Sequence, residues 1–196
     1  MESSMGREHG FLTRIVFAWS DLRASMRAVL DSQPGEGRLL MFAVLSGLII
    51  FAARAFDLTV LSSRGAISPE LLRAEFARSF FALVLARTLG LYGVAAIARI
   101  VARSAGGTGS WRETRAAIFW ASLVSAPVRL LSSLLMLLPL PAILAQGVIW
   151  LAPSAFAVVT AYCLAETHGF SRVWVVFLVV AGITLALIGS ILALAA

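Results

Sequence analysis

The chain has 196 residues, 60% of them hydrophobic and only 13% charged, with a mean hydropathy of +0.94 and a formal charge of +6. Soluble domains carry about a quarter charged residues and interrupt their apolar stretches every few positions. The class is therefore an all-α, polytopic membrane helical bundle, and the length leaves room for a single domain of about five spans. All 16 basic residues are arginine, most of them set in loops and at span ends where the positive-inside rule and anionic headgroups account for them, so nucleic acid is excluded as a partner.

The first nine residues, M-E-S-S-M-G-R-E-H, are polar and lack the apolar core and cleavage site of a signal peptide. Beyond them Phe11, Ile15, Trp19, Leu22, Met26 and Val29 recur at steps of three and four, with Thr13, Arg14, Ser20, Asp21, Arg23 and Arg27 between. This spacing predicts one amphipathic helix over Phe11 to Leu30, too polar to span. Two placements suit it. It lies along the cytoplasmic interface with Trp19 among headgroups and its arginines toward anionic lipid, or its apolar stripe packs on the protein's own spans. The turn D-S-Q-P-G-E-G, Asp31 to Gly37, ends it. Residues 1–38 thus read as a cytoplasmic N-terminal segment and residues 39–196 as a five-span transmembrane domain.

The first span starts at Leu39 and runs through Ala53, with Ala43 and Gly47 as a small-xxx-small face and Arg54 and Asp57 placed as a helix-surface pair. Ser68-Pro69-Glu70 is a helix start, combining a side-chain cap, a first-turn proline and an acid at the positive helix end. It predicts a short helix, Pro69 to Arg78, bending into a second span, Ser79 to Ala98. The third span covers Ala116 to Leu138, and Pro139 and Pro141 mark a turn. The fourth covers Ala142 to Leu164, with Pro153 inside. The fifth runs from Val173 onward, with Gly182 and Gly189 as packing sites. The lone cysteine, Cys163, reads as a small buried hydrophobe.

With the N-terminus inside, Arg7, Arg14, Arg23, Arg27, Arg38, Arg99, Arg103, Arg112, Arg115 and Arg172 are cytoplasmic, against Arg54, Arg64, Arg73 and Arg78 outside. That asymmetry predicts an inner-membrane protein with a cytoplasmic N-terminus and an extracytoplasmic C-terminus.

Between the second and third spans a basic span end leads to G-G-T-G-S-W, a short charged step, and an apolar helix carrying Pro127 sixteen residues beyond Trp111. On Gly106, Gly107, Gly109, Trp111 and Pro127 the chain resembles the Yip (Ypt-interacting protein) domain family, particularly its small alphaproteobacterial members. The resemblance implies five spans behind a cytoplasmic N-terminus and a non-enzymatic role. Eukaryotic members of that family bind Rab-type GTPases in vesicle traffic, through proteins with a long cytoplasmic extension that this sequence does not show.

The glycine-rich loop has two readings: a flexible turn whose glycines adopt positive φ, or a cradle for a lipid phosphate at a helix start flanked by Arg103, Arg112 and Arg115. A P-loop is excluded, since no lysine follows the glycines. Arg87 and Arg129, measured from Ala98 and Ala116, fall about 17–20 Å from the cytoplasmic edge of their spans, near mid-membrane. Asp57 and Glu166 fall near span ends, so both arginines lack an acidic neighbour at that depth. They either snorkel toward the outer face, using carbonyls freed by Pro127, or converge in a polar cavity on a lipid phosphate or other anion.

Catalytic groups are scarce. His9 and His168 are the only histidines, Glu166 and His168 share a polar loop, and Ser122, Ser125, Ser132 and Ser133 have no histidine or lysine nearby in sequence. No catalytic, metal or cofactor site is expected, and the spans lack the paired carboxylates of a proton-coupled transporter. The function read from the sequence is membrane-organising or partner-binding, with anionic lipid and a membrane-protein partner or second copy as contacts. Its rival is a carrier or scramblase-like passage for anionic lipid or another small anion, using Arg87, Arg129, Arg103, Arg112 and Arg115.

Overall fold

A computed structural model describes residues 10–195, with side chains at residue 10 and residues 13–185. The polar first nine residues, His9 among them, and the packing expected at Gly189 lie outside the described residues. The elements are α1 (Phe11–Phe17), α2 (Leu22–Asp31), α3 (Glu36–Ser63), α4 (Pro69–Phe80), a π-turn (Phe81–Ala86), α5 (Arg87–Ser104), α6 (Trp111–Leu135), α7 (Ala142–His168) and α8 (Val173–Ala195). Among the described residues there is no strand.

Four units are long and apolar enough to cross a bilayer: α3, the 36-residue run from α4 through α5, α6 and α7. The fifth candidate, α8, has 23 residues and is about 34 Å long; its stretch Val173–Leu185 is apolar. Gly182, expected as a packing site, faces open space. The turn after α2, the loop 105–110 and the loop 169–172 gather at one end of the bundle, where Arg112 donates to Pro34 O and Gly109 N–H meets His168. Most of the arginines are here, so we call it the basic end. Loops 64–68 and 136–141 form the far end.

α6 is the centre. From Ala116 to Ala126 every residue is buried, because Ala116, Ala117, Ala121, Ser122, Ser125 and Ala126 let neighbouring backbones approach closely. Between these small residues, Trp120 packs against Phe42 of α3 at 5.3 Å between ring centroids and Phe119 meets Tyr92 of α5 edge-on at 4.9 Å.

The expected N-terminal helix is two helices. Asp21 leaves the helical conformation and its carboxylate accepts from Ala24 N–H at 2.9 Å, capping α2 and breaking the pattern after Phe17. Of the two placements, the stripe packs on the spans: Ile15, Ala18, Met26 and Val29 are all buried in the core. Trp19 is not held among headgroups, since its indole N–H donates to Val124 O at 3.2 Å. That carbonyl lies thirteen residues, about 20 Å, along α6, in the turn before Pro127.

Ser68 Oγ accepts from Leu71 N–H and Pro69 opens α4 as the sequence indicates. The helix then runs into the second span without a break, through the π-turn. Gly47 of α3 explains the close fit there. A Cβ on it would stand 2.5 Å from Leu83 O and 3.1 Å from Val84 Cα, so α3 touches the backbone of the π-turn directly. Arg54 and Asp57 are not a pair. Each reaches across to another helix, Arg54 to Glu75 and Asp57 to Arg129.

Candidate functional site

The glycine-rich loop is built around His168. α5 ends in a Schellman turn in which Gly106, at φ 84°, donates to Arg103 O and Gly107 donates to Ala102 O at 2.8 Å. Only Gly106 of the loop glycines needs positive φ. Gly107 and Gly109 are required for another reason: a Cβ on Gly107 would meet His168 Nδ1 at 2.8 Å, and one on Gly109 would meet Thr167 O at 2.8 Å. The end of α7 lies against the loop backbone. His168 is 2% exposed; its Nδ1 accepts from Gly109 N–H at 3.2 Å and its Nε2 lies 3.1 Å from Thr114 Oγ1. Thr114 in turn donates to Ser110 O at 2.9 Å. An accepting Nδ1 puts the proton on Nε2, so this chain of bonds holds a neutral imidazole in one tautomer. Phe170 stacks on the ring and Arg99 donates to Gly109 O at 2.8 Å.

At the start of α6, Ser110 Oγ accepts from Glu113 N–H while the Glu113 carboxylate accepts from Ser110 N–H at 2.7 Å, a capping box. The backbone N–H groups of residues 106 to 110 are thus all given to protein acceptors. A carboxylate already occupies the positive helix end where a phosphate would sit. The loop is a closely packed, hydrogen-bonded joint between α5, α6 and α7, with its backbone donors already engaged. Replacing His168 with alanine leaves Gly109 N–H without its acceptor and opens a cavity. We expect a loss of about 2–4 kcal/mol, seen as a lowered midpoint of thermal unfolding in detergent. A midpoint within about 2 °C of wild type would show that the joint holds without the ring.

Of the basic residues flanking the loop, Arg112 and Arg115 also serve the fold. Arg112 donates to Gln33 O and Pro34 O, Arg115 pairs with Glu36 at 2.6 Å and lies over the Trp111 ring, and Arg103 stands exposed at the end of α5. Arg27 donates to Glu166 at 2.9 Å, and Arg23 approaches the same carboxylate while donating to Phe170 O. The hydrogen bond and charge of Glu166 raise the Arg27 guanidinium above its ordinary value. Trp120 N–H completes the docking of α2 by donating to Ser25 Oγ at 3.1 Å. Glu166 and His168 therefore turn to different partners and form no acid–base pair.

Arg87 and Arg129 lie at separate nodes. Arg87 donates to Ser46 Oγ and Ser122 Oγ, both at 3.0 Å, and Ser122 donates to Ser46 at 2.7 Å, so one guanidinium ties α3, α5 and α6 together beside the π-turn. Ser125 is spent on Ala121 O. Arg129 pairs with Asp57 at 2.5 Å and donates to Ser133 Oγ at 2.9 Å. The expected lack of an acidic neighbour is corrected here. α6 begins at Trp111 and ends at Leu135, so Arg129 lies in its last quarter, level with Asp57 near the end of α3.

Arg129 instead shares an open cavity of about 330 Å³ with Arg54, Arg78 and Glu75, lined by residues of α3, α4, the π-turn and α6. A second concavity, an apolar groove of about 530 Å³, runs between α5, α7 and α8 and is lined by residues such as Ile97, Val101, Phe156, Leu164, Val176 and Val180. Among the described residues no group of histidine, cysteine, aspartate or glutamate could hold a metal ion. No curated protein and no solved structure matches the chain. The sequence profile of the Yip1 domain matches residues 18–195, from the turn before α2 to the end of α8, and the chain belongs to the Yip1 domain family.

Proposed function

We propose that this multi-pass membrane protein is a non-enzymatic component of the inner membrane that organises the bilayer or binds a protein partner there. The apolar groove between α5 and α8 carries the reading. It lies within the spans and is lined almost wholly by aliphatic side chains, with Ser171 and Arg172 at its basic end. It suits a transmembrane helix of a partner or of a second copy of this chain. The polar side chains that could have served chemistry are consumed elsewhere: His168 in the loop joint, Glu166 on α2, Ser122 and Ser125 in the core. Membership of the Yip1 domain family supports the same conclusion.

Photo-cross-linkers placed at Ile97 and Val176 in intact membranes test it. One stoichiometric protein product, absent when the probe sits at Ile143 near the far end, supports a partner in the groove. Co-purification of anionic phospholipid with no protein product would favour the carrier alternative instead. The gathering of arginines at one end supports a cytoplasmic N-terminus. A reporter inserted at Gly107 is expected to behave as cytoplasmic and one fused after Ala196 as extracytoplasmic. The opposite result at both sites would overturn the orientation.

A further inference from the structure

We propose that the cavity between α3, α4, the π-turn and α6 is a binding site for a phosphate group, held by Arg54, Arg78 and Arg129 at the headgroup depth of the far leaflet. This goes beyond partner binding and does not depend on it. The cavity's volume of about 330 Å³ falls in the range of about 300–1,000 Å³ usual for ligand pockets. Three guanidiniums face two carboxylates, Glu75 and Asp57, which leaves positive charge unbalanced.

The donors are also under-used. A guanidinium carries five N–H groups, yet Arg54 reaches Glu75 only at 3.7 Å and Arg78 makes one bond to it at 3.3 Å. Arg129 spends Nη1 on Ser133 and Nη2 on Asp57. Planar forks on three helices suit the oxygens of a phosphate, which accepts two parallel bonds from each.

Depth selects the ligand further. Arg54 and Asp57 lie nine and six residues before Ser63, Arg78 nine after Pro69, and Arg129 six before Leu135, so all are about 9–14 Å from the far helix ends. That is where long arginine side chains meet headgroups. Ile50, Ala82 and Leu83 supply the apolar part of the lining. Arg87 cannot join them, because it is spent on Ser46 and Ser122 behind the Gly47 contact.

The test uses the full-length protein in detergent, with lipid binding followed by native mass spectrometry. Wild type is expected to bind phosphatidylglycerol more tightly than phosphatidylcholine. The double variant Arg54→Gln, Arg78→Gln leaves the Arg129–Asp57 pair intact and is expected to weaken phosphatidylglycerol at least about tenfold. Arg64→Gln, at the same end but outside the cavity, is expected to change nothing. Glu75→Gln removes a competing carboxylate and is expected to tighten binding about two- to fivefold; it decides the matter alone if the double variant does not fold. Inorganic phosphate separates the sources. Thermal protection by phosphatidylglycerol but not by inorganic phosphate assigns a lipid headgroup, and protection by both assigns a free anion as well. Equal binding of the two lipids by wild type, an equal loss in Arg64→Gln, or no response to Glu75→Gln overturns the site.

Discussion

Replacing Asp57 with leucine is expected to destabilise the protein by about 3 kcal/mol, because Arg129 then keeps its charge with only Ser133 to receive it. The low end of the usual cost of breaking a buried pair applies, since both partners are about a quarter to a third exposed. Replacing Arg129 as well removes the orphaned charge. The double variant Asp57→Leu, Arg129→Leu is expected to recover most of the loss, since an ion pair exchanged for apolar side chains is often neutral. Thermal unfolding of the two single variants and the double closes the cycle. Additive losses would mean that the two residues do not interact.

Gly47→Val is the other severe change. Its Cβ would meet the backbone of the π-turn at Leu83 and Val84, which cannot rotate aside as a side chain can. Separating α3 from the turn also pulls Ser46 from Arg87. Overpacking with loss of that bond is expected to cost about 3–5 kcal/mol. Gly93→Ala is the matched control. Its Cβ meets nothing within 4 Å, and exchanging a helical glycine for alanine is expected to be neutral or stabilising by up to about 1 kcal/mol. Equal effects of Gly47→Val and Gly93→Ala on the unfolding midpoint would remove the close contact from the account of the fold.

Where order along the chain carries the information, the sequence was readable. Hydrophobic runs located the spans, and Ser68-Pro69-Glu70 located the start of α4. Signals for two other helix starts were also present but act over a few residues only. Ser110 and Glu113 have the capping-box spacing that starts α6 at Trp111, and measuring depth from Ala116 instead put Arg129 near mid-membrane. Asp21 is likewise a cap inside what reads as one amphipathic helix. Contacts between spans were not readable. Arg54 and Asp57 have helix-neighbour spacing, yet their partners, Glu75 and Arg129, lie on other helices. Depth counted from the caps of α3 and α6, which enter from the same end, would have placed Asp57 beside Arg129. His168 had no local signal, because its partners Gly109 and Thr114 lie more than fifty residues away.

The docking of α2 has a consequence for synthesis. Its partners Trp120 and Glu166, and that of Trp19, Val124, leave the ribosome long after residue 31. At roughly 5–20 residues per second, the stretch to Glu166 takes on the order of ten seconds. During that interval the amphipathic face of α2 lacks α7, with which it makes most of its contacts in the finished fold, and the bilayer interface offers an apolar phase in its place. A chain stopped before α7 should therefore leave α2 open to protease when lipid is removed, whereas the full chain protects it. The same stripe that closes the finished bundle is expected to serve first as a mooring for the nascent chain.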